Sequence, residues 1–272
     1  MTFKSLPAKP SRVISLVPSY TESLFDLGFG NCVVGITDYC IHPAEKLKNI
    51  SSIGGPKNPR ISDILALKPD LVLANQEENY QRDIEILEKA GINTWAAFPR
   101  TVRESLADLW TLEKIFHSNR AVDQIRFLER SLEMVERAQD SAREFTYFCP
   151  VWQETDKNNA LNWITISDDT YTSDLLRIFG GVNCISSGTV ERYPKITSGR
   201  VIELNPDVIF LPSEPYCFTE NDATQFMNLF SETKAGRSGR ICCLDGTLIT
   251  WVGTRLGKAL SEIPSIIDNL IL

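Results

Sequence analysis

The stretch Ser62-Asp63-Ile64-Leu65-Ala66-Leu67-Lys68-Pro69-Asp70-Leu71-Val72-Leu73 decides the fold, because the chain repeats it as Gly199-Arg200-Val201-Ile202-Glu203-Leu204-Asn205-Pro206-Asp207-Val208-Ile209-Phe210. Each copy reads as a short amphipathic helix, a proline that ends it by withholding a backbone N–H, then Asp and an apolar strand. One copy falls in each half. A repeated αβ unit predicts two similar α/β lobes, and two facing lobes predict a ligand cleft between them.

Outward from the first copy, strands are expected over 12–17, 32–36 and 93–98, with helices over 21–27 and 80–90 that Gly28 and Gly91 stop. Strand and helix in alternation imply a mainly parallel sheet. Around the second copy, strands are expected over 146–152, 163–166 and 241–244, with helices over 173–179, 224–230 and from 254 onward. Between the halves, Val122, Ile125, Leu128, Leu132, Val135 and Ala138 recur at helical spacing from Asn119 to Ser141, with no Gly or Pro. About 23 residues rising ~1.5 Å each give a rod of roughly 35 Å, enough to join two lobes. The expected organisation is an N-terminal α/β lobe over 1–117, a connecting backbone helix over 118–142 and a C-terminal α/β lobe over 143–272.

A net charge of -7 with no basic cluster argues against nucleic acid as a partner. No apolar run has the length of a membrane-spanning helix, so membrane insertion is not expected. Seven cysteines without C-x-x-C spacing read as reduced thiols. The opening residues Met1 to Ser11 hold no leader-like apolar core, so the chain as written is expected in the cytosol. A removed leader would instead make it periplasmic or surface-anchored.

Open parallel sheets bind ligands beyond the carboxyl ends of their strands. Candidate binding residues there are Tyr20, Tyr39, Asn75, Glu77 and Arg100 in the first half, and Trp152, Arg192, Tyr193, Glu214, Tyr216 and Trp251 in the second. The rings would offer flat contacts while the amides and charges orient a ring-bearing ligand. No catalytic residue is assigned. Only two histidines are available, and neither a nucleophile elbow nor a P-loop is present. Asp38, Cys40 and His42 lack a further histidine suited to complete a transition-metal site, so no protein metal site is assigned. The competing reading is a cytosolic enzyme on the same fold that uses Cys40 and His42 as its reactive pair.

Arg12-Val13-Ile14-Ser15-Leu16-Val17-Pro18-Ser19-Tyr20-Thr21-Glu22, Val34-Gly35-Ile36-Thr37-Asp38-Tyr39 and Ala66-Leu67-Lys68-Pro69-Asp70-Leu71-Val72 resemble the helical-backbone periplasmic binding proteins, especially their cobalamin-binding branch. The resemblance implies two Rossmann-like lobes joined by one long helix, a non-enzymatic role and delivery of a small molecule to an ABC-type permease. It implies a corrinoid, haem or siderophore-class iron chelate as ligand, with no catalytic cofactor. The chain departs from that branch where it would place cleft tryptophans, at Gly54 or Gly55, Asn75 and Tyr193. It departs again at the permease-docking glutamates, whose places fall on Ser62 and Gly199 with Asp63 and Glu203 nearby.

Overall fold

A computed structural model describes residues 8–139, 144–157, 159–188 and 191–271. Residues 1–7, and positions 140–142 at the end of the predicted connector, lie outside the described residues. The chain forms two compact units. One gathers the chain up to Pro99 with Arg103–Arg130 and Val252–Arg255; the other holds Arg100–Val102, Ser131–Trp251 and the chain from Leu256 onward.

The first unit runs β1 (Val13–Ser15), α1 (Pro18–Asp26), β2 (Val33–Ile36), α2 (Ala44–Leu47), β3 (Ser51–Ser52), β4 (Gly54–Gly55), β5 (Asn58–Pro59), α3 (Ile61–Ala66), β6 (Leu71–Asn75), α4 (Gln81–Lys89) and β7 (Asn93–Ala97). Five strands make a parallel sheet in the order β3-β2-β1-β6-β7, with β4 and β5 as a separate antiparallel pair. The order reverses between β1 and β6, which opens the crevice where such sheets receive ligands. Ile14, Leu16, Ile64, Val72, Ile84 and Leu87 close the core between sheet and helices.

Helices α5 (Val102–Phe116) and α6 (Asn119–Gln139) follow. The 21 residues of α6, roughly 31 Å long, carry the chain from the first unit to the second, the change falling between Arg130 and Ser131.

The second unit runs β8 (Phe145–Phe148), β9 (Pro150–Thr155), β10 (Leu161–Thr165), α7 (Tyr171–Ile178), β11 (Gly181–Asn183), β12 (Lys195–Thr197), α8 (Ser198–Leu204), β13 (Val208–Pro212), α9 (Glu220–Leu229), α10 (Lys234–Arg237), β14 (Ile241–Leu244), α11 (Thr247–Thr250) and α12 (Leu256–Ile271). Its parallel sheet has the order β11-β8-β13-β14. This half is not a plain copy of the first. The strand expected over 146–152 breaks at Cys149, and β9 turns away to form an antiparallel sheet, β12-β10-β9. Pro150 explains the break, because it has no N–H to donate at that point of a central ladder.

The duplicated sequence does duplicated work. Asp70 Oδ2 accepts from the Ser11 amide at 2.8 Å and the Arg12 amide at 3.1 Å, clamping the entry to β1. Asp207 Oδ2 accepts from the Thr146 amide at 2.9 Å and its hydroxyl at 2.7 Å, clamping the entry to β8. In each unit the Asp after the proline fixes the register of the strand beside the switch point.

Candidate functional site

In the first unit, β1 runs straight into α1, with Pro18 at the first helical position where its missing N–H costs nothing. That short link draws Tyr20 into the core. Tyr20 is 0% exposed, its ring lies 5.3 Å from that of Trp95, and its hydroxyl donates to Asp108 Oδ2 at 2.6 Å. Tyr20 is therefore a structural residue, which corrects the expectation that it contacts a ligand. Burial pushes Asp108 up to about 7, the Tyr20 hydrogen bond opposing and Glu104 adding to the rise.

Tyr39 is 65% exposed; the nearby Gly55 leaves room for the Asn58 side chain, since a Cβ there would come 2.5 Å from Asn58 Oδ1. Cys40 is sealed between the hydroxyls of Thr21, 3.1 Å away, and Thr37, 3.2 Å away. Burial pushes its thiol up, against the lowering effect of those hydrogen bonds. A buried thiol held in that form is a poor nucleophile.

Beyond β6 a tight turn forms around two amides. The Asn75 amide donates to Asn79 Oδ1 at 2.8 Å, and Asn75 Oδ1 accepts from the Glu77 amide at 2.7 Å. Asn75 is buried and spent on the turn, so it orients Glu77 instead of facing a ligand itself. Asn79, which sequence reasoning passed over, ties this turn to the β4–β5 hairpin through Pro56 O at 3.1 Å. Lys57 donates to the Glu77 carbonyl, and its ammonium lies 5.0 Å from the half-exposed Tyr80 ring. A polar residue immediately after a strand was legible; the amide pair that organises it was not.

In the second unit the predicted residues contact one another in small sets. Trp152 is 45% exposed and meets Tyr216 edge-on at 5.6 Å; Tyr216 packs on Phe218 at 4.6 Å, and Phe218 on Phe226 at 5.9 Å. The exposed ring is thus rooted in the core of this unit. The Tyr216 amide donates to Val151 O at 3.2 Å, fixing the loop after β13 against β9. Trp251 Nε1 donates to Glu214 Oε2 at 2.7 Å while the indole is only 6% exposed. Trp251 is a positioning residue for Glu214, which corrects its expected role as a flat contact. Gly246 is required beside it, because a Cβ would sit 2.5 Å from the Glu214 backbone N.

Arg100, Arg192 and Tyr193 come together in the same unit. Asp169 stands between the two arginines, 3.7 Å from Arg100 Nη1 and 3.6 Å from Arg192 Nη1. The Tyr193 ring, 39% exposed, lies 5.9 Å from the Arg192 guanidinium. Asp169 was not singled out from sequence; its place two residues ahead of α7 was the available signal. Among the described residues no three His, Cys, Asp or Glu side chains gather to hold a metal ion, and no helix is long and apolar enough to cross a membrane.

Comparison with known proteins agrees with this architecture. A family model described as "Periplasmic binding protein" matches residues 13–248. An uncharacterised ABC transporter substrate-binding lipoprotein, YvrC of Bacillus subtilis, is 26% identical over 269 residues, covering 95% of this chain and 80% of its own. A vitamin B12-binding protein of Yersinia pseudotuberculosis is 30% identical over 212 residues, covering 75% of this chain and 71% of its own. The crystal structure of the periplasmic vitamin B12 binding protein BtuF of Vibrio cholerae superposes with a TM-score of 0.83 at 20% identity, over 97% of this chain and 99% of that one.

The expected cytosolic location is overturned by these relatives, which are periplasmic proteins or lipoproteins and point to the periplasm or the cell surface. The enzyme built on Cys40 and His42 is set aside as well, since the matching family and its members are binding proteins of ABC transporters. A small-molecule ligand and a permease partner follow at that level. With the match running through both units, the chain belongs to the periplasmic binding protein family and is a binding protein, not an enzyme.

Proposed function

We propose that this chain is the receptor for a small ring-bearing or metal-chelate ligand, of the corrinoid, haem or siderophore class, which it passes to an ABC-type permease. The observation that supports the reading is the pair of exposed rings in the second unit, Trp152 rooted in the core through Tyr216 and Tyr193 beside the Arg192 guanidinium. Exposed rings with charged groups nearby suit a flat polar ligand. Tyr39 and Glu77 are the contacts proposed for the first unit; Glu214, Arg100, Arg192 and Tyr216 complete the set in the second.

The permease contacts are proposed on the repeated helices α3 and α8. Asp63 pairs with Arg60 at 2.6 Å and Glu203 with Arg200 at 2.9 Å, so each acid sits beside the expected docking place but is partly neutralised by an arginine three residues before it. Both pairs are exposed and exchangeable.

Purification without refolding, followed by native mass spectrometry and an absorption spectrum, tests the ligand class. A co-purified mass with a visible corrin, haem or ferric-chelate band is expected. A bound colourless, non-aromatic metabolite would contradict the reading.

A further inference from the structure

We infer that Asn79 is a positioning residue for ligand binding: its buried amide fastens three segments of the first unit into one wall, from which Tyr39 and Glu77 project. The inference rests on the ring-ligand reading above for what the wall presents, and goes beyond it in naming the residue that sets the wall.

Both ends of the Asn79 side chain are committed to backbone. Its Oδ1 accepts from the Asn75 amide at 2.8 Å, while its own amide donates to the Asn75 carbonyl at 2.9 Å. Its Nδ2 donates to the Leu16 carbonyl at 3.4 Å and to the Pro56 carbonyl at 3.1 Å. Leu16 lies just past β1, Asn75 ends β6, and Pro56 sits at the tip of the β4–β5 hairpin. One side chain thus joins the two strands that flank the switch point to the hairpin beside them. Two donors and an acceptor are needed at once, and among side chains of this size asparagine carries that set.

The hairpin depends on such ties. Its strands are two residues each, too short to hold a place unaided. Gly54 adds a backbone φ of +92°, and a Cβ there would come 2.9 Å from the Asn58 carbonyl oxygen, so the turn is tightly shaped. At its base, buried Ile53 donates its amide to the Ile36 carbonyl at 2.9 Å. Its tip is tied by Asn79 to Pro56 and by the Lys57 ammonium to the Glu77 carbonyl.

Both proposed contacts of this unit are fixed to the same piece. The Asp38 amide, one residue before Tyr39, donates to the Gly54 carbonyl at 3.0 Å, and the Ser52 hydroxyl donates to the Asp38 carboxylate. On the other flank the Glu77 amide donates to Asn75 Oδ1 at 2.7 Å, inside the turn that Asn79 closes. Cutting the Asn79 bonds frees Tyr39 and Glu77 to move independently, and a ligand must then bear the cost of ordering them.

Hydrogen exchange of the free protein, read by mass spectrometry, and calorimetric titration with haemin and cyanocobalamin test this on wild type, Asn79→Ala and Asn79→Asp. The Asp variant keeps the acceptor for the Asn75 amide and loses both donors. Exchange over residues 53–60 should quicken about tenfold in both variants, whereas residues 75–79 should quicken in the Ala variant and stay near wild type in the Asp variant. General destabilisation would not produce that split. The probe that wild type binds should bind about tenfold more weakly to both variants. Lys57→Met, altered on the exposed side, should weaken binding too, and less than additively when combined with Asn79→Asp; it carries the test if the Asn79 variants do not fold. Unchanged exchange in the hairpin, or unchanged affinity, would overturn the positioning role while leaving a ring receptor in place. Wild-type protein that binds neither probe would overturn the ring reading and the role of Asn79 with it.

Discussion

Lys68 and Asn205 occupy equivalent places in the repeated unit, each directly before its proline, and both hold a left-handed backbone with φ of +47°. The two copies share a helix ending as well as a sequence pattern. Asn205 suits the left-handed region and uses its side chain, Oδ1 accepting from the Lys234 amide at 2.8 Å. Lysine gains nothing there and pays about 1 kcal/mol in backbone strain. Lys68→Gly should stabilise the protein by about 0.5–1 kcal/mol, and Asn205→Ala should destabilise it by about 1–2 kcal/mol through strain and the lost bond. Urea denaturation of the two variants checks both signs; a destabilised Lys68→Gly would refute the equivalence.

Asp108 sets a pH dependence. Its folded pKa is raised from 3.8 to about 7, so the folded state holds a proton that the unfolded chain has released. Its contribution to stability is therefore complete below about pH 4, falls as pH rises from there, and is lost above about pH 7. Asp108→Asn keeps an acceptor for the Tyr20 hydroxyl and removes the titration. Melting curves from pH 4 to 8 should show the variant more stable at neutral pH and flatter across the range.

Trp251 and Glu214 separate positioning from contact. Trp251→Phe retains most of the buried volume and removes the donor to Glu214, at a cost of about 1–2 kcal/mol, whereas Trp251→Ala opens a cavity costing about 3–5 kcal/mol. Differential scanning calorimetry should order the variants wild type, Phe, Ala. An alanine variant as stable as wild type would contradict the burial of the indole.

The cysteines rank by exposure. Cys217 is exposed while Cys40 is buried with a raised pKa, so brief iodoacetamide treatment of the native protein should label Cys217 and spare Cys40 until denaturant is added. Mass spectrometry of the peptides reads the order. Rapid native labelling of Cys40 would revive a reactive role for it.

Much of the fold was legible in the sequence because its signals are local. A proline cannot continue a helix, and the Pro-Asp pair repeated around residues 69 and 206 marks both helix-to-strand junctions. The antiparallel β12-β10-β9 sheet was not legible, since Trp152 and Trp163 lie in strand-like runs whose pairing direction depends on distant partners. At the site, residue type located the loops but not the orientation of their side chains. Tyr20 and Trp251 look identical to ligand-facing rings until Asp108 and Glu214 claim their polar atoms. Asp169 stayed hidden for the opposite reason: an acid in a loop is ordinary until two arginines face it.

The central claim is that exposed rings of the second unit hold a flat ligand, and one titration tests it most directly. Tryptophan fluorescence of the wild type and of the double variant Trp152→Ala, Tyr193→Ala is followed against haemin, cyanocobalamin and a ferric siderophore. Both side chains are partly exposed, so the variant should melt close to wild type. Loss of two ring contacts at about 1 kcal/mol each predicts binding of at least one probe by the wild type, weakened roughly tenfold to a hundredfold in the variant. Equal affinity in the two proteins, or no binding by either, would contradict it.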